Sequence, residues 1–432
     1  MKSSLQSWGR YPALPQQGIR PFWPDEMQAC IAQHNPGLAF GNGRSYGDVC
    51  LAANNRVLDM RQLNRIHHFD TTSGVIRAEA GTTLYDLLSI TTPAGWFLPV
   101  VPGTGYATLG GAIANDVHGK NHHRNGTFGC RVERLALYRG GDILECSRSD
   151  HPQLFAATVG GLGLSGIILW ADIRLQPVTT SQMDCVTERF QSLDDFFALA
   201  DRYDLSHEYG VAWIDCLASG QQRGRGVYFA ANHARYGTEH EWHSRALTMP
   251  VTPPVSLINQ WSLRAFNFAY WHTKPAKPAV SRVPYQPFFF PLDSIQHWNR
   301  MYGPKGFQQY QCVIPTTSER DAIPELLEQI SNARQGSFLA VLKRCGDILS
   351  PGLLSFPLQG TSLALDFPNP YKLGPLFERL DHIVREAGGR LYPAKDAHMK
   401  PADFRHYYPQ WEQVEACRAR EFNSHFWQRV TQ

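Results

Sequence analysis

Three glycine-rich stretches, separated by long tracts of ordinary sequence, constrain this chain more than any other feature in it. The longest, VPGTGYATLGGAIANDVHGKNHHRNGTFG, occupies residues 101–129. Glycine recurs there at 103, 105, 110, 111, 119, 126 and 129, so the backbone approaches something closely with no Cβ in the way. Among the glycines lie Thr104, Thr108, Asn115, Asp116, His118, Lys120, Asn121, His122 and His123. Donors and acceptors at that density suit a large polar ligand carrying phosphates and rings better than an apolar core. GNGRSYGD at 41–48 precedes this stretch and GGLGLSG at 160–166 follows it. A strand at 38–40 running into glycine leaves free N–H groups at its end, a natural anion cradle. All three stretches can converge on one extended cofactor within one domain.

The pattern excludes the commoner nucleotide folds. A Rossmann fingerprint needs a helix after its last glycine, but the apolar run Ile167 to Trp170 follows 160–166. No G-x-x-x-x-G-K-[ST] string occurs, which argues against a P-loop. His118 and His122 are spaced i, i+4 like zinc ligands, yet Gly119 between them disfavours a helix and no carboxylate completes a shell, so no metal is expected. A net charge of +3 on scattered Lys and Arg gives no nucleic-acid footprint. The nine cysteines form no C-x-x-C pair, which fits a reducing cytosol. The opening MKSSLQSWGRYP does not read as a secretory signal and no apolar run is long enough to span a bilayer. A cytoplasmic location is expected, with peripheral contact at the inner face of the plasma membrane left open.

Length alone suggests two domains. Up to about 178, short strands alternate with helices: a helix after Pro24, strands near 57–60 and 74–81, a helix at 82–90 capped by Thr82 or Thr83, a hairpin around Gly140 and Gly141, and a closing strand from Ile167. After 179 come a helix at SLDDFFALADRYD, strands at 210–216 and 226–231, and a proline- and aromatic-rich segment from Arg245 to Pro291. That segment reads either as a helix and loop packed on the core or as an apolar flap for a lipid tail or membrane surface. Then strand 307–315, helix 318–332, strands 337–344 and 363–367 and helix 373–387 give an α+β pattern, an antiparallel sheet with helices on one face. Gln309, Gln311 and Lys343 point from its other face.

GNGRSYGD, then PGTGYATLGGAIANDVHGKNHH followed by GTFG, then TVGGLGLSGII, and finally YPAKD together resemble the FAD-dependent oxidases of the vanillyl-alcohol oxidase superfamily. Within it they are most similar to the branch that oxidises a polyprenyl-phosphoryl ribose. The resemblance runs from about Trp8 to about Tyr408. It implies a PCMH-type, two-subdomain FAD-binding domain at 1–178, a substrate domain at 179–389 and a C-terminal return to the first domain at 390–432. It implies FAD contacts from Gly41, Asn42, Gly43, Arg44, Ser45, Tyr46, Gly47, Asp48, Gly103, Thr108, Leu109, Gly110, Gly111, Asn115, Asp116, Val117, His118, Ile167 and Tyr392. Substrate contacts fall to Gln309, Gln311, Lys343 and Lys395, and catalysis to Lys395 with His118 and Tyr46. The family's cysteine beside the flavin is Ala364 here, which leaves the chemistry in place. Some superfamily members bond FAD through a histidine in the first loop; Ser45 and Tyr46 stand there, so a noncovalent flavin is expected.

The implied activity is oxidation of the 2-hydroxyl of a lipid-linked ribosyl phosphate to the ketone, with a separate NAD(P)H-dependent keto-reductase completing an epimerisation to the arabinose form. Oxidation of another sugar, an aldonolactone or an alditol stays open as the alternative, as does a noncatalytic flavin-binding subunit.

Overall fold

Alternating apolar and polar side chains punctuated by glycine and proline make a strand-rich chain with helices between. The computed structural model describes residues 5–237, 247–369 and 373–432; residues 245 and 246, where the aromatic segment begins, lie outside them. Five antiparallel strands form one sheet in the order Ile66–Asp70, Val75–Glu79, Ile167–Arg174, Val132–Arg139 and Asp142–Ser147. The expected hairpin is there, with Gly140 and Gly141 both at positive φ. Helices Leu84–Thr91 and Leu109–Ala114 bury Leu87, Leu88 and Ile113 against Ile76, Leu135 and Ile173 of this sheet. Thr83 caps the first of them in a capping box with Asp86. Three short parallel strands, Gln17–Ile19, Arg56–Asp59 and Leu38–Phe40, lie beside it, and the last delivers the chain to Gly41.

The second sheet has eight antiparallel strands, ordered Ala279–Pro284, Gln182–Phe190, Gly226–His233, Tyr209–Ile214, Ala340–Cys345, Gly360–Pro368, Phe307–Pro315 and Arg390–Leu391. Tyr310, Cys312, Ile314, Leu342, Leu363 and Leu365 share one core with helices Leu193–Asp204, Glu319–Asn332 and Leu373–Glu386. Alternate residues Gln309, Gln311, Val341, Lys343, Ser362 and Ala364 line a cavity on the opposite face. Each buried Leu, Ile or Phe is worth roughly 1.5–3 kcal/mol, and a one-residue slip would drive Gln309, Gln311 and Lys343 into the helix-side core. Hydrophobic burial on one face thus fixes which polar groups reach the other. The architecture is α+β, with helices covering one face of an antiparallel sheet.

Two local departures have clear causes. The strand expected from Ser337 starts at Ala340, because Ser337 Oγ bonds the backbone of Leu339 and bends the chain there. The aromatic segment takes the first of the two forms weighed for it, packed on the core. Helix Gln260–Thr273, capped by Asn259, docks Leu263, Asn267 and Trp271 inward, and Ala279–Pro284 becomes an edge strand of the large sheet.

Candidate active site

One cavity of about 840 Å³ lies between the glycine stretches and the bare face of the large sheet, near the upper end of the range for cofactor sites. Residues 41–46, 101–104 and 162–163 with Gly166 all contribute to its wall, so the three glycine stretches do meet.

The first loop leaves the strand at Phe40 and turns at Gly43, φ +60. Among the described residues none accepts a hydrogen bond from the backbone N–H of Asn42, Gly43, Arg44 or Ser45. Consecutive unpaired N–H groups are the kind of concavity that takes an anion. Asn42 Nδ2 donates to the Tyr106 carbonyl at 3.0 Å, and a Cβ on Gly41 would sit 2.3 Å from Thr108 Oγ1, so the first two stretches touch at backbone range. Arg44 stacks between Trp8 and Tyr106, its carbon 4.0 and 4.9 Å from their ring centroids. Its Nε, Asn115 Oδ1 and His118 Nδ1 are buried without a hydrogen-bond partner among the described residues. Buried polar atoms rarely stay orphaned, and all three residues line the cavity. Anion cradle, glycine clearance and orphaned polar atoms fit a dinucleotide.

At the Tyr46 end of the first loop, Lys395 Nζ lies 3.7 Å from the centroid of the Tyr46 ring. Burial pulls this ammonium down to about 7, with Asp366 opposing. Burial likewise pushes Asp366 up to about 7, against the pull of Gln309 and Lys395. Gln309 Nε2 donates to Asp366 Oδ1 at 2.5 Å across the paired strands. Burial, with Asp366 next, raises the Tyr46 phenol well above its ordinary value.

His118 is held well below its usual range by burial and then by Lys343, so the ring is neutral. Gln311 Nε2 lies 3.2 Å from His118 Nε2, and as this amide is oriented it donates there, which puts the ring proton on Nδ1. Lys343 Nζ donates to the Gly119 carbonyl at 2.9 Å. Lys120 Nζ bonds the Phe288 carbonyl, and burial brings it down to about 7. Beyond these cations the wall turns aromatic at Trp213, Phe229, Phe266, Tyr270, Phe288 and Phe338.

The segment bearing Lys395 is clamped from several sides. Tyr46 N donates to the Ala394 carbonyl, Tyr392 N to the Gln311 carbonyl and Tyr392 Oη to the Asn115 carbonyl. Arg429 bridges Asp396 at 2.9 Å and Asp48 at 2.8 Å. Burial alone would raise the Asp396 carboxyl, but Arg429 and His398 hold it below the usual carboxylate range.

Of the residues singled out from sequence, Gly41, Asn42, Gly43, Arg44, Ser45, Tyr46, Gly103, Thr108, Gly110, Gly111, Asn115, Val117, His118, Gln309, Gln311, Lys343, Tyr392 and Lys395 line the cavity. Five do not. The Asp48 carboxylate is spent on Arg429. Asp116 accepts from Gly129 N, Ser350 Oγ and Ser355 Oγ, which staples the central stretch to the loop carrying those two serines. Gly47 packs on the Asp396 carbonyl. Leu109 and Ile167 are core residues. Sequence reasoning missed Asp366 and Asp293, and gave Lys120 no role of its own. Asp366 had a signal, since it follows Ala364 by two on a strand whose alternate residues face the site. Asp293 had none: it accepts from Thr104 Oγ1 and Gly105 N, a pairing with no local trace.

Comparison with known proteins agrees with this geometry. Residues 23–147 match the FAD binding domain family model. The chain is 34% identical over 388 residues to decaprenylphosphoryl-beta-D-ribose oxidase of Mycolicibacterium smegmatis, covering 86% of this chain and 83% of that one. It is 32% identical over 351 residues to an uncharacterised Streptomyces coelicolor protein, covering 78% of this chain and 95% of the relative. L-gulonolactone oxidase of Bos taurus matches at 28%, over 40% of each chain. A glycine-lined dinucleotide cavity and a relative similar along most of its length place this chain in the FAD-dependent oxidoreductase family of decaprenylphosphoryl-beta-D-ribose oxidase.

Proposed function

We propose that this FAD-dependent oxidoreductase oxidises the 2-hydroxyl of a polyprenyl-phosphoryl ribose to the 2-keto sugar. One observation carries the reading: a single cavity joins a buried lysine near neutrality, three further lysines and an aromatic extension. Those features match in order an alcohol, a phosphate and a lipid tail. Lactone-oxidising relatives match only about two fifths of the chain.

In this reading residues 1–178 with 390–432 hold the cofactor and 179–389 the substrate. The N–H groups of residues 42–45 hold the pyrophosphate, with Gly103, Thr108, Gly110, Gly111, Asn115, Val117, His118 and Tyr392 along the rest of FAD, bound noncovalently. Bound FAD supplies the acceptor for the hydride from the carbinol carbon. Neutral Lys395 accepts the hydroxyl proton as general base, and the Tyr46 ring beneath stabilises the resulting ammonium. Gln309 and Asp366 hold the far side of that pair, while Gln311 fixes the neutral His118 ring. Lys343 meets the phosphate as a point charge. A separate NAD(P)H-dependent keto-reductase consumes the ketone and completes the epimerisation.

The test is anaerobic addition of substrates to the yellow protein. Bleaching of the visible flavin band by polyprenyl-phosphoryl ribose, and not by free ribose, aldonolactones or alditols, supports the reading. Bleaching only by the free compounds replaces the substrate, and no bleaching by any removes the oxidase role.

A further inference from the structure

Helix Gln260–Thr273 is apolar on two sides. Its inward stripe docks through Leu263, Asn267 and Trp271, and the neighbouring Phe266, Tyr270 and Lys274 line the cavity. Trp261, Ala265, Phe268 and His272, spaced i, i+4, i+7 and i+11, fall on one outward stripe. Trp261 is 79% exposed and Phe268 60%. Val251, Val255 and Leu257, just before the helix, are also exposed. Single exposed apolar residues need no explanation, but a contiguous set on one element does.

Charge decides what covers it. From Leu247 to Leu292 the sequence contains no Asp or Glu, while Arg264, Lys274, Lys277 and Arg282 fall within it. Arg264 and Lys277 are exposed, and neither has an ion-pair partner among the described residues. Arg282 is paired with Asp184 of the neighbouring strand, but the segment supplies no carboxylate of its own, and exposed aromatic side chains beside the cations Arg264 and Lys277 complement an anionic bilayer, where Trp sits at the headgroup level and Lys or Arg meets the lipid phosphates.

We infer that this helix, with the segment leading into it, docks the protein on an anionic membrane surface, so that the cavity's aromatic end opens toward the lipid. The inference deepens the lipid-linked substrate reading by naming where that substrate enters, but vesicle binding itself is measured without substrate.

The test uses the full, FAD-loaded chain in co-sedimentation with phosphatidylglycerol–phosphatidylcholine vesicles and with phosphatidylcholine vesicles alone. The wild type is expected to pellet with the anionic vesicles and to stay largely in solution with the neutral ones. The double variant W261A/F268A, at two positions that do not line the cavity, should partition at least about tenfold less, and R264E/K277E should lose the preference for anionic lipid. Both variants should keep flavin bleaching by a short-chain substrate dispersed in detergent. Equal pelleting of wild type and both variants overturns the inference, as does equal affinity for the two vesicle types. A dimer in solution that W261A/F268A breaks also overturns it, by assigning the face to a second copy. Vesicle binding without bleaching by any lipid-linked sugar leaves this inference standing and removes the substrate reading.

Discussion

The ammonium nitrogen of Lys395 sits over the Tyr46 ring, 3.7 Å from its centroid, and so joins the segment after strand Arg390–Leu391 to the first glycine loop. The contact rests on backbone, because Tyr46 N donates to the carbonyl of Ala394, the residue before the lysine. Buried in this way, the lysine is near neutrality and free to take a proton.

The pH dependence follows from that. Below about 7 Lys395 carries its proton and cannot accept another, so the rate of flavin reduction should rise as pH climbs through 7 and then level off. Replacing Asp366 by Asn removes the negative charge that favours the lysine's charged form. The midpoint of the Asp366→Asn profile should therefore move to lower pH, as measured by stopped-flow reduction across a pH series. An unmoved midpoint would mean the two groups are not coupled.

Gly47 tests positioning. A Cβ there would lie 1.7 Å from the Asp396 carbonyl oxygen, a clash with backbone that no rotamer change relieves. Gly47→Ala should displace the segment bearing Lys395 and lower kcat on the order of 100-fold. Flavin content, read from absorbance, should fall far less.

Arg429 tests stability. It is the partner of two buried carboxylates, Asp48 and Asp396. Arg429→Met should cost about 3–5 kcal/mol, the range for leaving a buried charge unpaired, measured from urea unfolding at pH 7. Because Asp396 titrates below its ordinary value, its share of the stabilisation is present at neutral pH and is lost only as pH falls through that depressed value. Parent and variant should therefore converge only in strong acid.

Much of this site could be read from the chain. Alternation in FQQYQCVIP aims Gln309 and Gln311 to one side because Tyr310, Cys312 and Ile314 are claimed by the helices on the other. Spaced glycines announced loops meeting at backbone distance, and Gly41 against Thr108 is such a meeting. Long-range pairing of polar groups could not be read this way. Asp48 and Asp116 stand in cofactor-like motifs, yet their carboxylates serve Arg429, Ser350 and Ser355, residues far along the chain. Register across strands is equally silent in sequence, and it is register that sets Asp366 opposite Gln309.

The first loop carries Ser45 and Tyr46 and no histidine, so a noncovalent flavin is expected. Acid precipitation should release free FAD into the supernatant and leave a colourless pellet. A yellow pellet would show a covalent link.

The central claim is that Lys395 handles the substrate proton beside a flavin held by other residues, and the Lys395→Ala protein tests it most directly. Its FAD content and its anaerobic reduction by polyprenyl-phosphoryl ribose should be measured together. The protein is expected to stay yellow and to lose reduction by at least about 100-fold, the scale of a positioned general base. A yellow variant that is reduced at the parental rate would contradict the account.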